Sequence, residues 1–146
     1  MTRLLHLGAR EYVLLAAALV LVPLTALRLR VAGFTRRSRP PALAQSPPRT
    51  GETEIVRATA HMVAAAAHCY GASCLPQSIA LQWLLRQQGI ATRLCFGVRK
   101  DGGVLDAHAW VEYRGQPLID SPAVHGKFAV LEPSDPNRPT AHRGAP

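Results

Sequence analysis

A long apolar run near the start of the chain has the pattern of a helix. Residues 12–27 carry no charge, and arginines lie on both sides of the run. A helix of this length spans about 24 Å, which is short of the roughly 30 Å hydrocarbon core of a bilayer, and Pro23 interrupts its hydrogen bonding. Arginines follow at once, where a signal peptide has small residues before its cleavage site. The run therefore predicts an apolar helical arm over residues 1–32.

Two interpretations of this arm stay open. In one, the helix covers part of a globular domain or docks a partner protein. In the other, residues 10–39 lie on a membrane surface, where anionic lipid holds their arginines on the cytoplasmic side. These arginines are Arg28, Arg30, Arg36, Arg37 and Arg39. Neither interpretation assigns chemistry to the arm.

The composition changes after the arm. Residues 33–51 contain two Pro-Pro pairs with Ser and Arg and have no apolar periodicity, which predicts an extended linker. The proline-rich end, residues 133–146, predicts a flexible tail. A globular domain is therefore expected over residues 52–132.

The first half of this domain has helical periodicity. Residues 52–68 are rich in alanine with interleaved apolar residues, and a break follows at Tyr70-Gly71. A second apolar helix is predicted to begin at Cys74, with Ser73 as its N-cap, and to end at Gly89.

The second half of the domain alternates between apolar and polar residues. Residues 91–98 and 105–113 predict two strands joined by a hairpin turn at residues 100–103, and residues 116–120 predict a third strand. One face of the second strand carries Asp106, His108, Trp110 and Glu112, and the opposite face carries its apolar residues with Tyr113. Helices followed by an antiparallel meander predict an α+β domain.

The net charge of +8 belongs mainly to the arm and linker. Residues 1–50 contain eight basic residues and one acidic residue, whereas residues 51–146 contain nine basic and eight acidic residues. The globular part is therefore almost neutral, and aromatic residues make up only 5% of the chain. Both facts argue against nucleic acid as a partner. The three cysteines, an odd number, indicate reduced thiols in the cytoplasm rather than a disulfide framework.

Cys74 is the first candidate for chemistry. The backbone N–H groups and the dipole at a helix N-terminus favour a thiolate, which is the nucleophilic form of cysteine. A nearby histidine would complete the activation by taking the proton. The alternative is a small buried apolar side chain without chemistry. The other two cysteines suggest no function, since Cys69 fits no zinc-binding spacing and Cys95 alternates into a strand. We expect no metal and no cofactor.

His108 and Asp120 are candidate partners of that thiol. His108 lies in the middle of the second predicted strand, and Asp120 ends the third, so a neighbouring strand can bring the carboxylate beside the imidazole. Asp106 is a rival orienting residue on the strand of His108 itself. Either His108 or Asp120 alone has an ordinary structural explanation, and the combination with Cys74 is more specific than its parts.

Trp110 and Glu112 share the strand face of His108 and are candidates for substrate binding. Both side chains are then expected to line a peptide groove. Packing of Trp110 beside the imidazole is an equally good explanation.

The local sequence strings resemble the transglutaminase-like leader peptidases of lasso-peptide biosynthesis. The two strongest matches are Ser-Cys-Leu-Pro-Gln-Ser-Ile-Ala-Leu, residues 73–81, and Ala-His-Ala-Trp-Val-Glu, residues 107–112. The resemblance covers roughly residues 52–132, and the Arg-flanked apolar arm is similar to the N-terminal helix of that family. It implies a transglutaminase-like or papain-like cysteine protease core, with helices packed on a small antiparallel sheet.

The resemblance also implies roles and partners. Cys74 would be the nucleophile, His108 the general base and acid, and Asp120 the residue that orients His108. The family removes the leader from a ribosomally made precursor peptide, and a separate ATP-dependent cyclase then uses the freed amine. A leader-recognition domain is expected as a separate polypeptide, because the arm and linker leave no room for it before residue 52.

Other functions remain open at this stage. The same scaffold is compatible with acyl transfer to an amine, and with a module that binds a peptide without cutting it. A membrane-associated protein whose function lies in its arm is a third alternative.

Overall fold

The computed structural model describes residues 9–32 and 49–131. Most of the predicted linker, residues 33–51, and the whole of the predicted tail, residues 133–146, lie outside the described residues. The described elements follow one another in the order α1 (Ala9–Ala32), α2 (Glu52–Tyr70), α3 (Cys74–Gln87), β1 (Arg93–Asp101), β2 (Val104–Tyr113), β3 (Gln116–Pro117), α4 (Val124–Lys127) and β4 (Ala129–Val130). This order of helices and antiparallel strands confirms the predicted α+β class.

The two central helices begin and end close to where the sequence predicts. Helix α2 ends at Gly71, whose φ of 57° lies in the left-handed region that glycine adopts without strain. Helix α3 begins at Cys74 as predicted, and Gly89 follows its end with a φ of 74°. Ser73 is the N-cap residue, as predicted, although its side chain makes no capping hydrogen bond.

The strands form one antiparallel sheet in the order β3-β2-β1-β4. The β1–β2 hairpin is its centre, and its turn is narrower than predicted because Gly102 and Gly103 both adopt a positive φ. Strand β3 contains two residues and is shorter than the predicted residues 116–120, because residues 118–120 bend away after Leu118 N donates to the Val111 carbonyl. Asp120 therefore lies in a bend beyond β3 rather than at the end of a strand.

The alternation along β2 directs its side chains to two separate apolar clusters. Val111 and Tyr113 pack with the helices in the larger cluster, whose members from α3 include Leu81 and Leu85. On the opposite face of the sheet, Trp110 packs in a smaller cluster. The other members of that cluster are Cys95, Val124 and Phe128. The two-face prediction for this strand is confirmed.

Helix α1 packs on the domain along one side and exposes apolar residues on the other. Ala18 and Val22 are fully buried in the larger cluster, and Thr25 Oγ1 donates to the Pro76 carbonyl in the first turn of α3 at 3.2 Å. The exposed apolar side chains are Tyr12, Val13, Val20, Leu24, Leu27 and Val31. By length and composition alone, Tyr12–Val31 of this helix is sufficient to cross a membrane, with a mean hydropathy of 2.1. Contact with the globular domain, one of the two interpretations of the arm, is thus present in the fold.

Candidate active site

His108 and Asp120 lie together at one edge of the sheet. Their Nε2 and Oδ1 atoms are 2.8 Å apart, and both side chains are partly exposed, 22% and 29% respectively. An ionised carboxylate only accepts hydrogen bonds, so Nε2 carries the proton in this pair and Nδ1 has a free lone pair when the ring is neutral. Among the described residues, Nδ1 has no hydrogen-bond partner. This nitrogen is therefore available to take a proton from another group.

Asp106, the rival orienting residue, is engaged elsewhere. Its Oδ2 lies 2.9 Å from Nε of Arg99, its cross-strand neighbour on β1. The bend after β3 thus brings Asp120 to His108, whereas Asp106, on the same strand as His108, pairs with Arg99.

Two aromatic rings hold the imidazole of His108 in place. The indole of Trp110 stacks on it with centroids 6.0 Å apart, and the ring of Phe128 does so at 5.1 Å. Gly97, the cross-strand partner of His108, leaves space for both rings. A Cβ at this glycine would lie 2.7 Å from Phe128 Cβ and 3.0 Å from two atoms of the Trp110 indole. The absence of a side chain at position 97 is therefore required by the packing around His108.

A buried hydroxyl fixes α3 against the edge of β2. Ser78 Oγ, in the second turn of the helix, donates to the Ala109 carbonyl at 3.0 Å. Carbonyls two residues apart on a strand point to the same edge, and Val111 O accepts from Leu118 N on the β3 side. Ser78 therefore bonds to the next carbonyl along this edge of β2, that of Ala109, which follows His108 in the chain.

Cys74 is the half-buried first residue of this docked helix. It precedes Ser78 by four residues, which is one turn and about 6 Å along the axis, so both side chains lie on the same helix face. Within the described part of the chain, Cys74 Sγ and His108 make no hydrogen bond. The fold thus joins His108 to Asp120 and docks the start of the Cys74 helix at the same edge. The three residues as one catalytic unit stay a prediction.

Trp110 and Glu112 are both buried, and their polar atoms have partners within the protein. Trp110 Nε1 donates to Glu112 Oε1 at 2.9 Å, and His125 Nε2 lies 2.7 Å from the same oxygen. Trp110 thus forms a packing wall beside the imidazole, the second of the two explanations for this residue. Contact of Trp110 and Glu112 with a substrate stays a prediction.

The hydrogen bonds around Glu112 keep its carboxylate ionised. Burial raises the pKa of Glu112, but hydrogen bonds from three side chains lower it, and the net pKa lies below the usual value. The donors are His125, Trp110 and Cys95. Burial and the charge of Glu112 raise the pKa of the Cys95 thiol to about 12, so this thiol stays protonated and donates.

Sequence reasoning did not identify His125 and Phe128 as neighbours of the site. His125 lies in the short helix α4, and Phe128 lies between α4 and β4, so tertiary packing alone brings them to β2. Gly97 opposite His108 was the available signal, since a strand glycine often marks the close approach of another group.

An open surface lies between the segments that carry Cys74 and Asp120. It comprises two shallow cavities of about 410 and 180 Å³ along α2, which share Ala64. Gln77 borders the larger cavity and Ile119 the smaller one. Cys74, His108 and Asp120 line neither cavity, although residues close to Cys74 and Asp120 in the chain do.

A family model described as the transglutaminase-like superfamily matches residues 19–132. The match includes Cys74, His108 and Asp120, together with most of α1. Proteins of this superfamily commonly use cysteine-based catalysis. No curated protein and no solved structure matches the chain.

Proposed function

Because this chain belongs to the transglutaminase-like superfamily, we propose that it is a cysteine endopeptidase that removes the leader from a lasso precursor peptide. Cys74 is the nucleophile, His108 the general base and acid, and Asp120 the orienting residue. The observation that carries the proposal is the 2.8 Å contact between His108 and Asp120 at the sheet edge where the Cys74 helix docks.

The first half of the reaction forms a thioester. His108 Nδ1 takes the proton of the Cys74 thiol, and the sulfur attacks the carbonyl carbon of the scissile bond. The resulting oxyanion accepts a hydrogen bond from the Cys74 backbone N–H at the start of α3. His108 then gives its proton to the leaving amine as the C–N bond breaks. The core peptide departs with a free N-terminus.

Water completes the reaction. His108 Nδ1 takes a proton from a water molecule, whose oxygen attacks the thioester carbonyl. The C–S bond breaks, His108 returns the proton to the sulfur, and the leader leaves as a carboxylic acid that loses its remaining proton to solvent. Throughout, Asp120 holds the Nε2–H side of the ring and stabilises its charged form.

The lasso precursor as substrate is supported by the motifs around Cys74 and His108. A domain this small has little surface with which to bind a whole precursor, so a separate leader-recognition protein would raise the local substrate concentration. The product of the cut carries the α-amine that a separate ATP-dependent cyclase joins to an acidic side chain. These two proteins and the precursor are the proposed partners.

A reconstituted cleavage reaction tests this function. The purified chain is incubated with a candidate precursor and its recognition protein, and mass spectrometry measures the free leader. We expect the intact leader with a new carboxylate, and a slower reaction without the recognition protein. A leader that carries an added amine instead of the carboxylate would indicate acyl transfer. Absence of any modified precursor, with the recognition protein bound, would contradict both activities.

We further propose that the protein is cytoplasmic and lies on the inner membrane surface through the outer face of α1. That face has exposed leucine and valine side chains, and Arg28 and Arg30 lie near the end of the helix. Apolar side chains enter the headgroup region while arginines contact anionic lipid, which is the usual chemistry of interfacial helices. The inner stripe of Ala18 and Val22 stays on the domain.

Flotation with vesicles tests this location. We expect the full chain to float with vesicles that contain anionic lipid and to float less with zwitterionic ones. Leu24→Glu and Leu27→Glu should reduce flotation, because both residues are exposed on α1. Val104→Glu at the exposed hairpin tip is the matched control. Equal flotation of all three variants would contradict the role of α1, and retention of the recognition protein by the outer face would favour partner docking.

A further inference from the structure

The face of the sheet that carries His108 also carries a chain of contacts beyond the imidazole that the proposed reaction does not use. His108 stacks on Trp110, Trp110 donates to Glu112, and Glu112 also contacts His125 at 2.7 Å. We propose that Glu112 is a positioning residue, which fixes the indole of Trp110 and thereby the catalytic imidazole. This inference rests on the proposed function, since it gives His108 its catalytic role.

The indole is held at both of its ends. Its nitrogen lies in the five-membered ring and bonds Glu112, while its six-membered ring lies against Gly97, where an added Cβ would be only 3.0 Å away. Because the six-membered ring lies against the Gly97 backbone, the indole cannot tilt further toward β1. It also cannot slide along the strand without losing its hydrogen bond to Glu112. Trp110 is fully buried, so no water replaces that bond.

Glu112 is a strong anchor because one oxygen, Oε1, has two nitrogen partners. The Trp110 indole and the His125 imidazole meet it at 2.9 and 2.7 Å. Hydrogen bonds to an ionised acceptor are about twice as strong as those between neutral groups. His125 belongs to α4, so the anchor also ties the segment that leads to Phe128, the second ring on His108.

A positioning role differs from general stabilisation in what it changes. The imidazole must meet the thiol within a few tenths of an ångström, and a displacement of about 1 Å can cost on the order of 100-fold in rate. Loosening the indole should therefore slow proton transfer from Cys74 while the domain remains folded.

The test measures the reactivity of Cys74 without any peptide substrate. Full-length protein with Cys69→Ala is treated with iodoacetamide at pH 7, and mass spectrometry follows alkylation of Cys74. The exposed Cys69 is removed because it would also react, whereas Cys95 is buried with a pKa raised to about 12. Alkylation in His108→Ala defines the rate without imidazole assistance.

Four variants separate the contacts. Trp110→Phe keeps a ring and removes the indole donor, and Glu112→Leu removes the acceptor. We expect both to slow alkylation by about tenfold to 100-fold. Glu112→Gln keeps an acceptor oxygen and should recover most of the rate that Glu112→Leu loses. Tyr113→Phe is the matched control, because it removes a 2.8 Å hydrogen bond to Glu52 on the other face of the same strand.

Each outcome has a distinct meaning. Wild-type rates in Trp110→Phe and folded Glu112→Leu, with a slow His108→Ala, would overturn the positioning role and leave the peptidase proposal standing. An unchanged rate in His108→Ala would overturn both proposals. Circular dichroism monitors folding, and if Glu112→Leu fails to fold, Trp110→Phe decides alone. Equal slowing in Tyr113→Phe would show general loosening of the strand and would also overturn the inference.

Discussion

Replacing Cys74 by alanine should abolish leader cleavage. Alanine keeps the helix start but has no sulfur, so no thioester forms and the carbonyl has no nucleophile on the protein. Loss of the nucleophile in hydrolases of this kind lowers kcat by about 10⁴-fold to 10⁶-fold. Single-turnover reactions with excess enzyme, precursor and recognition protein measure this loss as the rate of leader release. The variant should still bind the precursor.

Cys69→Ala is the matched control for this prediction. Cys69 is an exposed cysteine near the end of α2, five residues before Cys74, and no step of the reaction uses it. We expect the rate of this variant to stay within about twofold of wild type, as is usual for exposed positions away from a site. Leader release that survives in Cys74→Ala but is lost in Cys69→Ala would show that the wrong thiol has been chosen.

The second large effect is expected at His108. His108→Ala removes both the acceptor of the thiol proton and the donor to the leaving amine, so kcat should fall by nearly as much as in Cys74→Ala. Residues that act as one unit are not additive. The double variant should therefore be no slower than either single one, which the same single-turnover measurement checks. A double variant that is slower by the product of the two effects would contradict their cooperation.

The two carboxylates near His108 should respond differently. Asp120→Ala removes the partner at 2.8 Å and should leave partial activity, because orientation is only part of the catalysis. Asp106→Ala should have little effect, since its partner is Arg99. The reverse ranking would restore Asp106 as the orienting residue.

The sequence predicted what local patterns determine. Glycines stop α2 and α3, alternation divides the faces of β2, and both signals depend only on neighbours along the chain. The start of α3 at Cys74 was correctly predicted for the same reason, although the Ser73 side chain does not cap it.

Tertiary contacts determined the rest. Strand β4 is only two residues long, and it forms because β1 offers a free edge, so nothing in its own sequence announces it. The length of β3 and the bend at Asp120 depend on pairing with β2, which ends after Leu118 N donates to Val111 O. The contact of His125 with Glu112 joins positions 13 residues apart through α4, a helix too short for periodicity to reveal.

The short outer strands affect how copies of the chain meet. Strands β3 and β4 have two residues each. Near the turn of the β1–β2 hairpin, residues 99–101 and 104–107 therefore have no third strand beside them within residues 9–32 and 49–131. Exposed strand edges invite pairing with a second molecule, and charged side chains discourage it. Arg99, Lys100, Asp101 and Asp106 occupy this part of the hairpin. These two cations and two anions balance, and Arg99 is already paired with Asp106, so this end of the sheet is protected by the cost of removing water from charged side chains rather than by repulsion between copies.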